Sequence, residues 1–126
     1  MQKMITNPIL SALKKTPYAS TDGIERDDKK VIARYFLPGT GCTWYVLEDD
    51  GFFTDEDHKD ADHIDPNMVV FGATTLGDGL ELGSISLKEV FEARGAFGLH
   101  AERDNSVKPL AETLGTLRNR YSEEWI

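Results

Sequence analysis

"VIARYFLPGTGCTWYVLE", Val31 to Glu48, decides how this chain folds. Val31 to Leu37 and Thr43 to Glu48 are rich in β-branched and aromatic residues, the types that suit a pleated, half-buried surface. "PGTGC" between them supplies proline and glycine for a tight reversal, and turn dihedrals alone explain Gly39 and Gly41. The stretch therefore predicts a β-hairpin. Trp44 and Tyr45 alternate across its second strand, which predicts one buried and one exposed ring, the exposed one a plausible contact residue.

Working outward, "NMVVFGATTL" (Asn67 to Leu76) resumes the strand pattern, and "GDG" turns the chain into "LELGSIS". Ser86 and Glu89 form a capping box, so a short helix should run from Leu87 to about Arg94, with Gly95 free to adopt a left-handed cap. Toward the N-terminus, Asn7 reads as a helix cap and Pro8 as the first helical residue. Ile9, Leu10 and Leu13 then share one face, and Pro17 stops the helix after Lys14 and Lys15. "STDGIERDDKK" is polar and reads as a loop. Pro109 opens a last helix on which Leu110, Leu114, Leu117 and Tyr121 recur at helical spacing. The expectation is a single α+β domain over residues 1–126. It would hold an antiparallel meander of about four strands, an N-terminal helix, a short helix after the last strand and a C-terminal helix, with one sheet face covered.

The chain carries 22 acids and 14 bases, a net charge of −8, and the imbalance is local. "EDDGFFTDEDHKDADHID", Glu48 to Asp65, holds nine acids and Lys59 as its one base, also −8, so the remainder is neutral. No cluster of Lys and Arg exists, which argues against direct binding to a phosphate backbone and leaves a basic protein as the partner class. One cysteine, Cys42, excludes an internal disulfide framework and suits a reducing cytoplasm. The opening residues have too short an apolar run for a signal peptide, and no stretch approaches a membrane span.

"TWYVLE", "ELGSISLKEV" and "EARGAFGLHAERD" carry a resemblance. With Lys14 to Pro17, Phe36 to Tyr45, Phe71-Gly72, Glu81 to Leu87 and Arg94 to Asp104, the chain resembles the uncharacterised bacterial family known as domain of unknown function 2958. Two departures stand out: Ala96 occupies a position where that family usually has proline, and the acidic connection is longer. The resemblance implies a setting on phages, plasmids or integrative elements, beside antirestriction or conjugation proteins. It implies no activity.

Three kinds of chemistry compete for the acidic stretch. Asp55, Asp57, Asp60, Asp62 and Asp65 invite a hard cation, but Lys59 and Asp60 occupy the positions where a calcium loop needs an oxygen ligand and glycine. His58 and His63 are weak metal candidates, because their spacing matches no standard site. No cofactor is expected. Mimicry of nucleic acid has the required charge density. As a helix, the stretch would carry one acid per about 3 Å, against roughly 3.4 Å per phosphate of a DNA strand. A solvated loop is the third reading, which the adjacent aromatics Phe52 and Phe53 temper by offering a contact point. The partner-binding candidates are therefore Asp49, Asp50, Phe52, Phe53, Asp55, Glu56, Asp57, Asp60, Asp62 and Asp65.

A second constellation, Glu48, Glu81, Arg94, Glu102, Arg103 and Asp104, would either orient a small polar ligand or satisfy itself as an internal ion-pair network. Catalysis finds no motif: "GTGCTW" lacks a dinucleotide fingerprint, and Cys42 as nucleophile would need a base such as His100. The expected function is a non-enzymatic accessory protein of a mobile element, docking its acidic loop on a basic surface. That surface would belong to a nucleic-acid-binding defence protein, in the manner of an anti-restriction or anti-CRISPR protein. The alternative is a small metal-dependent or ligand-binding enzyme centred on His100 to Asp104.

Overall fold

The computed structural model describes residues 2–50 and 68–126. Five strands form one antiparallel sheet: β1 (Ala33–Phe36), β2 (Cys42–Asp49), β3 (Val69–Leu76), β4 (Glu81–Ser86) and β5 (Glu102–Arg103), in the spatial order β4-β3-β2-β1-β5. The first four make the meander expected from the hairpin reading. The fifth was not anticipated: two residues after "GLHA" return to pair with Tyr35 and Phe36 on the free edge of β1. A two-residue strand has no alternation to read, so no periodicity could announce it.

Helix α1 (Asn7–Lys15) is capped one residue earlier than expected. Thr6 is the cap, its hydroxyl accepting from the Ile9 amide at 3.4 Å, while Asn7 and Pro8 are already helical. Helix α2 (Leu87–Glu92) follows β4 directly and begins as predicted, with the Ser86 hydroxyl accepting from the Glu89 amide. It does not end on a left-handed Gly95, which is extended at φ −94°. Gly95 is required for closeness instead, because a Cβ there would lie 2.5 Å from the Pro38 carbonyl oxygen. Helix α3 (Leu114–Arg120) starts five residues later than the proline suggested. Leu110 is left-handed at φ 62°, and the backbone before α3 bonds sideways: Leu110 N–H donates to Val31, and Leu114 N–H to Lys29. Pairing with the segment leading into β1 outcompetes helix formation there.

Both faces of the sheet are covered, where one was expected. On the first, Ile9, Leu10 and Leu13 of α1 and Leu87 and Val90 of α2 pack over Tyr35, Trp44, Val46, Val70 and Ile85. On the second, Val107, Leu114 and Leu117 pack over Tyr45, Leu47, Ala73 and Leu80. Trp44 and Tyr45 are consequently both buried, one on each face, and neither is an exposed contact residue. Burying the apolar side chains of both faces supplies most of the driving force, about 1.5–3 kcal/mol for each large aliphatic or aromatic side chain.

A bulge at Leu47 breaks the β2–β3 register: Val46 pairs with Gly72, but Glu48 pairs with Phe71. The close approach it creates explains Gly72. A Cβ at that position would meet the Tyr45 carbonyl oxygen at 1.8 Å, whereas one at Gly83 on the edge strand would meet nothing within 4 Å. Gly72→Ala should therefore destabilise the fold by about 3 kcal/mol or more, and Gly83→Ala by no more than about 0.5 kcal/mol, measured by urea denaturation.

Candidate functional site

The acidic stretch leaves the sheet at the C-terminal end of β2 and re-enters at β3, so its two feet stand side by side on neighbouring central strands. The first foot is firmly built. Glu48 is 1% exposed, and its carboxylate accepts from the backbone amides of Ala19 at 2.8 Å and Thr21 at 3.1 Å, and from the Thr21 hydroxyl. Lys29 Nζ donates to the same hydroxyl at 2.7 Å and to the Thr21 carbonyl at 2.5 Å. Thr21 thus relays between a buried cation and a buried anion, and the loop after α1 is pinned to β2. Asp49 is 3% exposed, pairs with Val70, and donates its amide to the Thr16 carbonyl at 2.9 Å.

Glu48 and Asp49 belong to the body of the fold. Asp49 was expected to present a docking charge, but the bulge and the end of α1 enclose it. Asp50 is the first residue of the stretch to reach the surface region, where its carboxylate accepts from the Ser84 hydroxyl at 3.0 Å. Phe52, Phe53, Asp55, Glu56, Asp57, His58, Asp60, Asp62, His63 and Asp65 lie outside the described residues.

The other constellation separates into five places. Glu48 is committed to the 19–21 loop. Glu81 is exposed at the start of the edge strand β4. Arg94 closes α2, its Nη1 donating to the carbonyls of Phe91, Glu92 and Ala93. Glu102 is exposed on β5. Arg103 next to it is fixed by the N-terminal segment, its backbone exchanging bonds with the Gln2 amide and its Nε donating to the Lys3 carbonyl at 2.9 Å.

Asp104 joins an ion-pair network, with partners that spacing did not suggest. Arg34 is buried on β1 between aromatic rings, its guanidinium carbon 3.6 Å from the Tyr121 ring centre. Arg34 Nη1 donates to Asp104 at 3.1 Å, its Nε to the Tyr45 hydroxyl at 3.3 Å, and Nη2 lies 3.9 Å from Glu123. The Tyr45 hydroxyl donates to Glu123, and Tyr121 donates to Asp104 at 2.7 Å. Burial, and then the hydrogen bond to Glu123, push the Tyr45 phenol well above its ordinary value. Burial alone would raise the Asp104 carboxyl, but bonds from Ser106 and Tyr121 and the Arg34 charge outweigh it and hold the group below the carboxylate range. One guanidinium here serves two carboxylates and the Tyr45 hydroxyl, and among the described residues no buried side-chain polar atom lacks a partner.

A second such cluster ties the C-terminus down. Asp27 receives two bonds from Arg118, at 2.8 and 2.7 Å, and one from the Trp125 indole at 2.8 Å, while Arg26 stacks 3.9 Å from the Trp125 ring centre. Glu112 pairs with Arg120. Among the described residues no group of three or more His, Cys, Asp or Glu is placed to hold a metal, and no helix is long and apolar enough to cross a membrane. No family model, no curated protein and no solved structure matches this chain.

One cavity was invisible in the sequence. A groove of about 630 Å³ lies between the N-terminal segment, the end of α2 and the approach to β5, floored by Met4, Phe91, Leu99 and Ala101 and rimmed by Arg94, His100 and Glu102. Arg103 and Asp104 face a separate, shallower groove, so the residues from His100 to Asp104 do not converge on one centre.

Two predictions come from the anchored charges. Replacing Glu48 with Ala leaves two amides and the Thr21 hydroxyl without their acceptor, and should cost about 3 kcal/mol in urea denaturation. The Asp27 carboxyl is lowered to about 2, mainly by the Arg118 hydrogen bonds. A depressed folded-state value means stability that is present above the unfolded value of 3.8 and is lost as pH falls toward 2. The side chain is 41% exposed, so solvent screening reduces the contribution to about 1 kcal/mol. Asp27→Asn should be less stable than the parent at pH 6, and the gap should narrow between pH 4 and about 2 in acid titrations followed by circular dichroism.

Proposed function

We propose that this chain is a non-enzymatic binding protein which docks on a basic protein surface through its acidic β2–β3 connection. The surface it covers is the nucleic-acid groove of a host defence protein, and the chain serves a phage, plasmid or integrative element in the cytoplasm. The observation that carries the reading is charge segregation. Asp27, Asp104, Glu112 and Glu123 are paired with Arg118, Arg34 and Arg120, and Glu48 is held by the 19–21 loop. Most of the anionic excess, six of eight net charges, is held by one connection of the chain, from Asp50 to Asp65, with seven acids and one lysine. A dense anionic segment attracts a cationic groove and accelerates encounter, and at high density it competes with nucleic acid for the same contacts. The mobile-element setting implied by the family resemblance agrees with such a target.

The alternative, a small enzyme centred on His100 to Asp104, is supported by the groove beside His100 and Glu102. Against it stand Arg103 and Asp104, which are spent on the N-terminal segment and on Arg34.

The test changes Asp55→Asn, Glu56→Gln, Asp57→Asn, Asp60→Asn and Asp62→Asn together and uses parent and variant as baits in host lysate. The parent should retain a basic, nucleic-acid-binding protein that the variant loses by at least tenfold. Retention should weaken steeply as salt is raised through the physiological range. Recovery of the same proteins by both baits contradicts the acidic-docking reading. An activity preserved in the neutralised variant favours the enzyme.

A further inference from the structure

The most unusual surface residue is Phe97. It is fully exposed, and it is held in the left-handed region at φ 58°, where a bulky non-glycine residue is rare. Its turn is rigid. Gly95 N–H donates to the Leu99 carbonyl at 2.7 Å, and Leu99 N–H to Ala96 at 3.2 Å. The turn also leans on the β1–β2 hairpin: a Cβ on Gly39 would come within 2.7 Å of the Ala96 Cβ, and one on Gly95 within 2.5 Å of the Pro38 carbonyl. The fold spends backbone strain to hold an aromatic ring in water, which is unfavourable for an isolated monomer.

Beside this ring lies the groove described above, and Arg94 and Leu99, on either side of the turn, form part of its wall. Knob and groove are therefore neighbours, with Phe97 two residues from Leu99 and three from Arg94. The rim carries both signs of charge. Arg94 donates only to backbone carbonyls, and among the described residues neither Arg94 nor Glu102 has an ion-pair partner within the fold. A face bearing a knob, a groove, one unmatched cation and one unmatched anion is self-complementary, as a two-fold interface requires.

We propose that the chain forms a two-fold dimer in which Phe97 of each copy enters the apolar groove of the other, and Arg94 of each faces the second copy's Glu102. A rigid aromatic anchor in a pocket is the usual centre of such an interface, with charged pairs at its rim fixing the register. The contact lies at the hairpin end of β2, the end opposite the acidic connection. Along an eight-residue strand the two are separated by about 25 Å at roughly 3.3 Å per residue. Dimerisation through this contact would leave the C-terminal end of β2 uncovered in both copies and make the assembly bivalent. The inference is independent of what the acidic segment binds.

Sedimentation velocity over a concentration series tests it, with the full chain and four variants. Asparagine tolerates the left-handed region, so Phe97→Asn removes the ring without adding strain. This variant should be monomeric, with a melting temperature equal to the parent's at concentrations low enough for the parent to be monomeric too. Arg94→Glu and Glu102→Arg each place like charges together and should weaken dimerisation at least tenfold, and the double reversal should restore it. A parent that stays monomeric at high micromolar concentration overturns the proposal. A dimer indifferent to Phe97→Asn does so as well, as does a double reversal no better than the single ones.

Discussion

The central strand Cys42–Asp49 is enclosed on both of its faces, and the rest of the chain is arranged to achieve that. A strand covered on one side needs only a single helical layer. Tyr45 and Leu47 point away from α1 and α2, so a second layer has to be drawn from the C-terminal third. That layer is thin. α3 supplies Leu114 and Leu117, Val107 and Trp125 add to them, and the rest of the covering is polar, built around Arg34 between Tyr45, Asp104, Tyr121 and Glu123. A guanidinium stacked on a ring fills space as an apolar group does, and its donors satisfy the hydroxyl and carboxylates that would otherwise be buried alone.

Such clusters also shape the surface. Each carboxylate that meets an arginine cancels one charge of each sign, so the ion pairs leave the net charge unchanged, and most of that net charge lies in the residues that follow the chain's exit from the end of β2. The Glu48–Thr21–Lys29 relay fixes the position of that exit, because it locks the last two strand residues against the loop that follows α1. A charged segment mounted on a rigid base loses less freedom on binding than one on a mobile stalk, and its field has a fixed origin.

The two ends of the sheet thus carry different chemistry. One end issues the acidic connection. The other holds the hairpin turn, with the Gly95–Leu99 turn packed on it through backbone-to-backbone approach that only glycine permits. Electrostatic attraction acts over a Debye length and tolerates imprecise geometry, whereas an aromatic knob requires a rigid frame. The acidic segment springs from a strand end, and Phe97 from a locked turn.

Much of this was legible in the residues. The hairpin, the four-strand meander, the Ser86 cap and the localisation of charge follow from local patterning, which needs no knowledge of distant partners. The late start of α3, the fifth strand and the burial of both Trp44 and Tyr45 were not legible. Each depends on segments remote in sequence competing for the same backbone bonds or the same face. The same holds for the charged residues. Their types announced ion pairs, but Arg34 meets Asp104 across 70 positions and Arg118 meets Asp27 across 91, and no spacing rule spans such intervals. The sequence by itself determined which elements form and where the excess charge lies, because both are local sums. Only the tertiary structure decided which carboxylates are spent inside the body and which face holds Phe97 and its groove, because contacts at long range are set by packing.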